Sequence, residues 1–155
     1  MIVRTETRDP LALESQVCFA LSLASRSVVN AYRPVLEPLN LTHPQYLVML
    51  ALWQHGQLSL KQLAELLGLE PATASPLVKR LEALGYVHRE RVAGDERTLR
   101  ISLTGEGRAL REQAETIPAT MMGRLGMDED ELIALHAAMT RVITAAARVA
   151  AHGGP

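Results

Sequence analysis

The sequence predicts a mainly α fold with a small β-hairpin wing: a winged helix-turn-helix with long N- and C-terminal dimerisation helices. Three observations lead there. Aromatic residues make up 3% of the 155 residues while hydrophobic residues reach 48%, so the core must come from Leu, Val, Ala and Met, which favours helices over strands. Apolar or small residues recur at steps of three and four in the first and last parts of the chain. Between them, two short helix signals precede a stretch in which Leu99, Ile101 and Leu103 alternate with Thr98, Arg100 and Ser102.

From Leu11 to Leu36, residues Cys18, Leu21, Ser25, Val28, Tyr32 and Val35 form the stripe of a long amphipathic helix, which Pro34 and Pro38 are expected to end. Thr42 and Gln45 read as a capping box opening the apolar helix Tyr46 to Trp53, whose all-round hydrophobicity predicts burial. A second capping box, Ser59 with Gln62, starts a short helix that carries Leu63, Leu66 and Leu67 on one face and stops at Gly68. Pro71 suits a first helical residue, and Ala74, Leu77, Val78, Leu81 and Leu84 form the inward stripe of the next helix, which ends at Gly85. Two short helices joined by a tight turn make a helix-turn-helix, and residues 86–103 a hairpin with a polar tip. Thr104 caps a further helix that Pro118 should interrupt, and Asp128 to Glu131 place carboxylates at the start of the last helix. There Leu132, Leu135, Met139, Val142, Ala146 and Val149 repeat for longer than a small domain needs, which points to a seam with another chain. The expected organisation is a single domain over residues 1–155. Residues 44–104 form its winged helix-turn-helix, and residues 10–38 and 105–151 its dimerisation helices.

Charge and composition exclude several classes. The longest apolar run, Tyr46 to Trp53, is far short of the ~18 residues of a membrane span, and residues 1–10 are too polar for a signal peptide, so no membrane role and a cytoplasmic location are expected. No Gly-rich phosphate loop, zinc motif or Ser/His/Asp order stands out, and His55, His88, His136 and His152 share no ligand spacing, so neither a metal nor a cofactor is expected. The formal net charge of −1 hides an asymmetry, with 0, +2 and −3 over residues 1–60, 61–111 and 112–155. The basic segment is the winged one.

In a winged helix-turn-helix the second helix enters the major groove and the hairpin tip reaches a flanking minor groove of double-stranded DNA. The outward face of that helix is Ala72, Thr73, Ser75, Pro76, Lys79 and Arg80, small and hydroxyl groups in front and phosphate-binding cations behind. Arg97 at the tip suits the electronegative minor groove, Asp95 is placed to orient its guanidinium, and Arg89, Arg91 and Arg100 line the wing. Residues 10–150, by segment order and by the wing sequence from Asp95 to Thr104, resemble the MarR family of bacterial transcription regulators. The resemblance implies a homodimer that binds a pseudo-palindromic operator and usually represses. It further implies base contacts from the helix carrying Thr73 and Ser75, and a minor-groove role for Arg97.

The lone cysteine, Cys18, excludes an internal disulfide and is either a small packed hydrophobe or a reactive thiol. Within the family, the segments around Cys18, Tyr32 and residues 40–46 resemble the organic-hydroperoxide-resistance regulators of the one-cysteine type. That likeness implies Cys18 as the thiol that senses organic hydroperoxide, with Tyr32 reaching it from the other subunit. It puts His43 where a second tyrosine stands and Ser22 where a further one does, and it requires a small-molecule thiol to form a mixed disulfide.

Spacing supports the same pairing. Cys18 and Tyr32 lie 14 positions apart, ~21 Å along a straight helix and nearly on one face, so they cannot touch within one chain. Two copies crossing antiparallel near Ser25 would bring Cys18 of each opposite Tyr32 of the other. The competing readings are a repressor released by a phenolic or other lipophilic ligand, with Cys18 structural, and a thiol peroxidase. The chain has no resolving cysteine and devotes its middle third to a winged motif, so an enzyme is not expected.

Overall fold

The computed structural model describes residues 9–153 and divides into two compact units, one through Glu115 and one from Thr116 onward. In the first unit a 3-10 turn over Leu13–Ser15 precedes α1, Val17–Leu36. The long helix therefore begins six residues later than Leu11. Gln16 is extended, and its side-chain amide donates to the carbonyls of Pro10 and Ala12, 2.8 and 3.1 Å away, tying the leading turn to itself instead of to α1. Pro34 does not end the helix either. It lies in the last turn, where only one ladder bond is lost, and the chain reverses at Asn40, which adopts φ 56°.

The next helix, α2 (His43–His55), carries the capping box its sequence announces. The Gln45 amide donates to Thr42 Oγ1, and the Thr42 amide to Gln45 Oε1 at 3.0 Å. Tyr46, Val48, Met49, Ala51 and Leu52 are all buried, as the all-round apolar pattern requires. A three-residue strand, β1 (Gln57–Ser59), separates α2 from α3 (Leu60–Leu67), which opens on the Ser59–Gln62 capping box and closes at Gly68, φ 64°. After the turn comes α4 (Pro71–Ala83), burying Ala74, Val78 and Leu81. Leu66, on the apolar face of α3, and Leu84, on the expected inward stripe of α4, stand 53% and 38% exposed. Each sits at the margin of its stripe, while Leu63, Ala64 and Leu81 occupy the centre.

The hairpin is β2 (Val87–Val92) and β3 (Asp95–Leu103), and the sheet order is β1-β3-β2 with both pairings antiparallel. Arg91 faces Leu99 while Val92 faces Asp95, so residues 96–98 bulge from the strand. β1 pairs only with residues 100–102, which leaves the distal half of the wing two-stranded. At its base, α5 (Gly105–Ala114) starts on the Thr104 cap, and the Thr104 hydroxyl also donates to the Gly85 carbonyl. Trp53 Nε1 donates to Gly107 O at 2.9 Å, joining α2 to α5, and the Tyr86 hydroxyl donates to Leu39 O at 2.9 Å, tying the residue before β2 to the segment after α1.

The second unit holds α6 (Ile117–Leu125), with Pro118 in its first turn, and α7 (Glu129–His152), opened by the Asp128–Glu131 capping box. The interruption expected from Pro118 falls between Ala114 and Ile117. No residue of α7 is buried in the single chain, and Ile133, Ile143 and Val149 stand at least 60% exposed. By length and composition alone this helix would also cross a bilayer.

Candidate nucleic-acid interface and thiol site

Residues from α3, α4 and the wing meet around a groove of about 570 Å³. Lys61, Lys79, Arg89, Arg91 and Arg97 line it together with Ser75 and Thr98, and no carboxylate among the described residues does. Two of these cations are tied into the fold. Arg89 binds Glu82 through Nη2 at 2.9 Å and through Nε at 3.1 Å, and this hydrogen-bonded contact holds the Glu82 carboxyl below its ordinary range. Arg91 Nη1 donates to Glu96 O at 2.7 Å, bracing the bulge. Lys61, Lys79 and Arg97 have no acidic partner among the described residues, so their charge is open to an incoming anion.

The wing tip is built around Asp95. Its carboxylate accepts the Thr98 hydroxyl at 2.6 Å and the Arg97 backbone amide at 3.1 Å, and these bonds lower its pKa. Asp95 therefore fixes the backbone that presents Arg97 and does not orient the guanidinium. Arg100 departs from expectation too. Strand alternation turns it to the opposite face from Arg89 and Arg91, where Nη1 meets Glu90 Oε1 at 3.4 Å. On α4, Thr73, Pro76, Lys79 and Arg80 are exposed and Ser75 is half-buried. Pro76 lies inside the helix, where a proline costs about 3 kcal/mol.

Cys18 is exposed, in the first turn of α1, and Ser22 is exposed one turn later. The sulfur is thus not a packed core residue of its own chain. At the far end of α1, Tyr32 packs against His43 with ring centroids 4.9 Å apart, and against Tyr46 at 5.9 Å. Burial raises the Tyr32 pKa, and burial followed by the neighbouring Tyr32 raises that of Tyr46, so both hydroxyls stay protonated donors. Burial lowers the His43 pKa, which keeps its ring neutral near pH 7 with one N–H to give. One chain brings Tyr32 and His43 together. Cys18 and Ser22 belong to the other end of the helix.

Residues 41–99 match the MarR family profile. The organic hydroperoxide resistance transcriptional regulator of Bacillus subtilis is 41% identical over 131 residues, 84% of this chain and 89% of its own length. The chain belongs to the MarR family. A second relative is the HTH-type transcriptional regulator TtmR of Methylorubrum extorquens, 45% identical over 85% of this chain and 68% of that protein. The structure of reduced AbfR bound to DNA, a protein of Staphylococcus epidermidis, superimposes with a TM-score of 0.72 at 30% identity, covering 85% of this chain and 92% of that one. For a MarR-family chain the winged helix-turn-helix is thus the expected fold, and its relatives are transcription regulators, not enzymes.

Two site residues of this MarR-family protein escaped the sequence reading. Lys61 sits within a capping box, where it reads as an ordinary surface residue; only the approach of α3 to the wing brings it into the groove. Tyr46 reads as core, and it is buried, yet its ring also closes the aromatic cluster. Among the described residues no group of three or more His, Cys, Asp or Glu is arranged to hold a metal.

The His43 shift has a testable sign. Folded His43 binds its proton less readily than unfolded His43, so the folded state is penalised as pH falls through and below the ordinary histidine value near 6.5, and the penalty is absent above it. Urea midpoints of wild type should therefore fall more between pH 7.5 and 5.5 than those of His43→Gln. Parallel losses in the two proteins would show that His43 is not responsible.

Proposed function

We propose that this chain is a cytoplasmic, homodimeric transcriptional repressor that binds a pseudo-palindromic operator and releases it when an organic hydroperoxide oxidises Cys18. The observation that carries the DNA half is the carboxylate-free cationic groove between α4 and the wing, with Lys79 and Arg97 on its two sides. α4, with Thr73, Ser75 and Pro76 in front, enters the major groove, Lys79 and Arg80 hold phosphates, and Arg97 reaches the minor groove. The exposed apolar faces of α1 and α7 find cover in a second copy, a sufficient reason for a stripe that would otherwise suit a bilayer. Likeness to the Bacillus subtilis regulator supports the sensing half.

In that dimer Cys18 meets the partner's Tyr32 and His43, whose hydroxyl and ring N–H donate to its sulfur. The thiolate attacks one peroxide oxygen, an S–O bond forms as the O–O bond breaks, sulfur loses two electrons, and the organic part leaves as an alcohol after protonation. A small-molecule thiol then displaces water from the sulfenic acid to give a mixed disulfide. The added bulk and lost hydrogen bonds change the spacing of the two α4 helices. A 100-fold drop in operator affinity needs only about 2.7 kcal/mol of coupling.

Gel shifts with and without cumene hydroperoxide and a small thiol test this directly. Wild type should lose about 100-fold in affinity and Cys18→Ser less than about twofold, with equal binding before treatment. Release of DNA by the serine variant would remove Cys18 from the mechanism. A second reading has one observation in its favour, a cavity of about 490 Å³ lined by Val29, Arg33, Leu41, His43 and Pro44 among others, suited to a phenolic or other lipophilic ligand. Cys18→Ser would leave the response to such a ligand intact.

A further inference from the structure

Pro76 is exposed and is the sixth residue of α4, so neither packing nor the tolerance of a first helical turn accounts for it. Proline has no amide N–H, and its ring deflects the carbonyl four residues earlier. The carbonyl of Ala72 is therefore left without its helical partner. Ala72 is itself exposed, its side chain is a single methyl, and no side-chain hydrogen bond to it exists among the described residues. Residues 71–80 contain no carboxylate and no side-chain amide. The cations of this face only donate, and apart from the hydroxyls of Thr73 and Ser75 the face has one free acceptor.

We infer that the Ala72 carbonyl, freed by Pro76, reads base sequence by accepting a hydrogen bond from an exocyclic amino group in the major groove, cytosine N4 or adenine N6. The inference rests on α4 being the recognition helix, as proposed above. Cytosine N4 and adenine N6 are the amino donors that the major groove presents, and a neutral carbonyl meets them without the repulsion a carboxylate would suffer from flanking phosphates. Pro76 acts as a positioning residue: it touches no base amino group but leaves the acceptor open.

Pro76→Ala restores the N–H, closes the bond to Ala72 and removes the acceptor. Duplexes enriched by wild-type protein from a random-sequence pool serve as the probe. In each half-site, cytosines are replaced singly by 2-pyrimidinone and adenines by purine, which delete the amino group, and thymines by uracil. One amino deletion per half-site should weaken wild type about fivefold for each half-site and leave Pro76→Ala unchanged, and on unmodified probe the variant should bind about fivefold more weakly for each half-site. The variant should also melt at a higher temperature than wild type, because its helix gains a bond. Equal sensitivity of both proteins to every amino deletion overturns the inference, as does a variant that melts lower. So does a difference that follows thymine methyls, which would mean that the proline ring itself makes the contact. Failure of wild type to enrich any duplex would instead sink the DNA-binding reading beneath it.

Discussion

Replacing Lys79 and Arg97 together by alanine should weaken binding to wild-type-selected duplexes about 1000-fold near ~0.15 M salt, with the melting temperature unchanged. Each phosphate charge neutralised, by Lys79 on the backbone or by Arg97 in the minor groove, contributes about 0.9 to the slope of log affinity against log salt concentration, and a two-fold dimer carries each residue twice. Four lost contacts lower the slope by about 3.6, which near ~0.15 M salt corresponds to three decades of affinity. Neither side chain has an acidic partner among the described residues, so no carboxylate is orphaned by the change. Arg89→Ala makes the contrast: its charge already faces Glu82 at 2.9 Å, and its loss should alter the slope far less. Fluorescence anisotropy across a salt series reads both quantities. An unchanged slope in the double variant would mean that the groove does not hold DNA.

Gly107→Ala should destabilise the fold by about 3 kcal/mol and lower the melting temperature by about 9 °C. A Cβ at Gly107 would lie 2.0 Å from the Tyr86 carbonyl oxygen and 3.3 Å from Leu103 Cδ2. Relief by a small shift is blocked from both sides. The Tyr86 oxygen accepts the Thr104 amide at 3.1 Å, and the Gly107 oxygen accepts Trp53 Nε1 at 2.9 Å, so moving either backbone breaks a bond at the base of the wing. Gly105 is the matched control. It opens the same helix, nothing lies within 4 Å of its Cβ position, and Gly105→Ala should stay within about 0.5 kcal/mol of wild type by chemical denaturation. Equal stability of the two variants would show that the close approach at Gly107 relaxes freely.

What could be read from the sequence was what is decided locally. The boxes at Thr42 and Ser59 each close within four residues, so their chemistry announces them wherever the chain goes. β1 has one buried residue, Leu58, and becomes a strand only because β3 lies beside it; three residues of local pattern cannot specify that. Asp95 shows the same limit at side-chain level. Its neighbourhood to Arg97 was visible, but whether the carboxylate would meet guanidinium or backbone depended on the three-residue bulge. For the thiol site, counting positions along α1 sufficed to separate Cys18 from Tyr32, whereas Tyr46 joined the cluster only through the packing of α2 on α1.

Because β1 reaches only as far as Arg100, the outer end of the wing is a ribbon with no third strand to steady it. A two-stranded ribbon of this kind is only marginally stable in isolation. On the DNA-binding role proposed for the wing, docking on a duplex would fix that ribbon in one pose, which subtracts conformational entropy from every landing but lets one tip adapt to backbones of differing width.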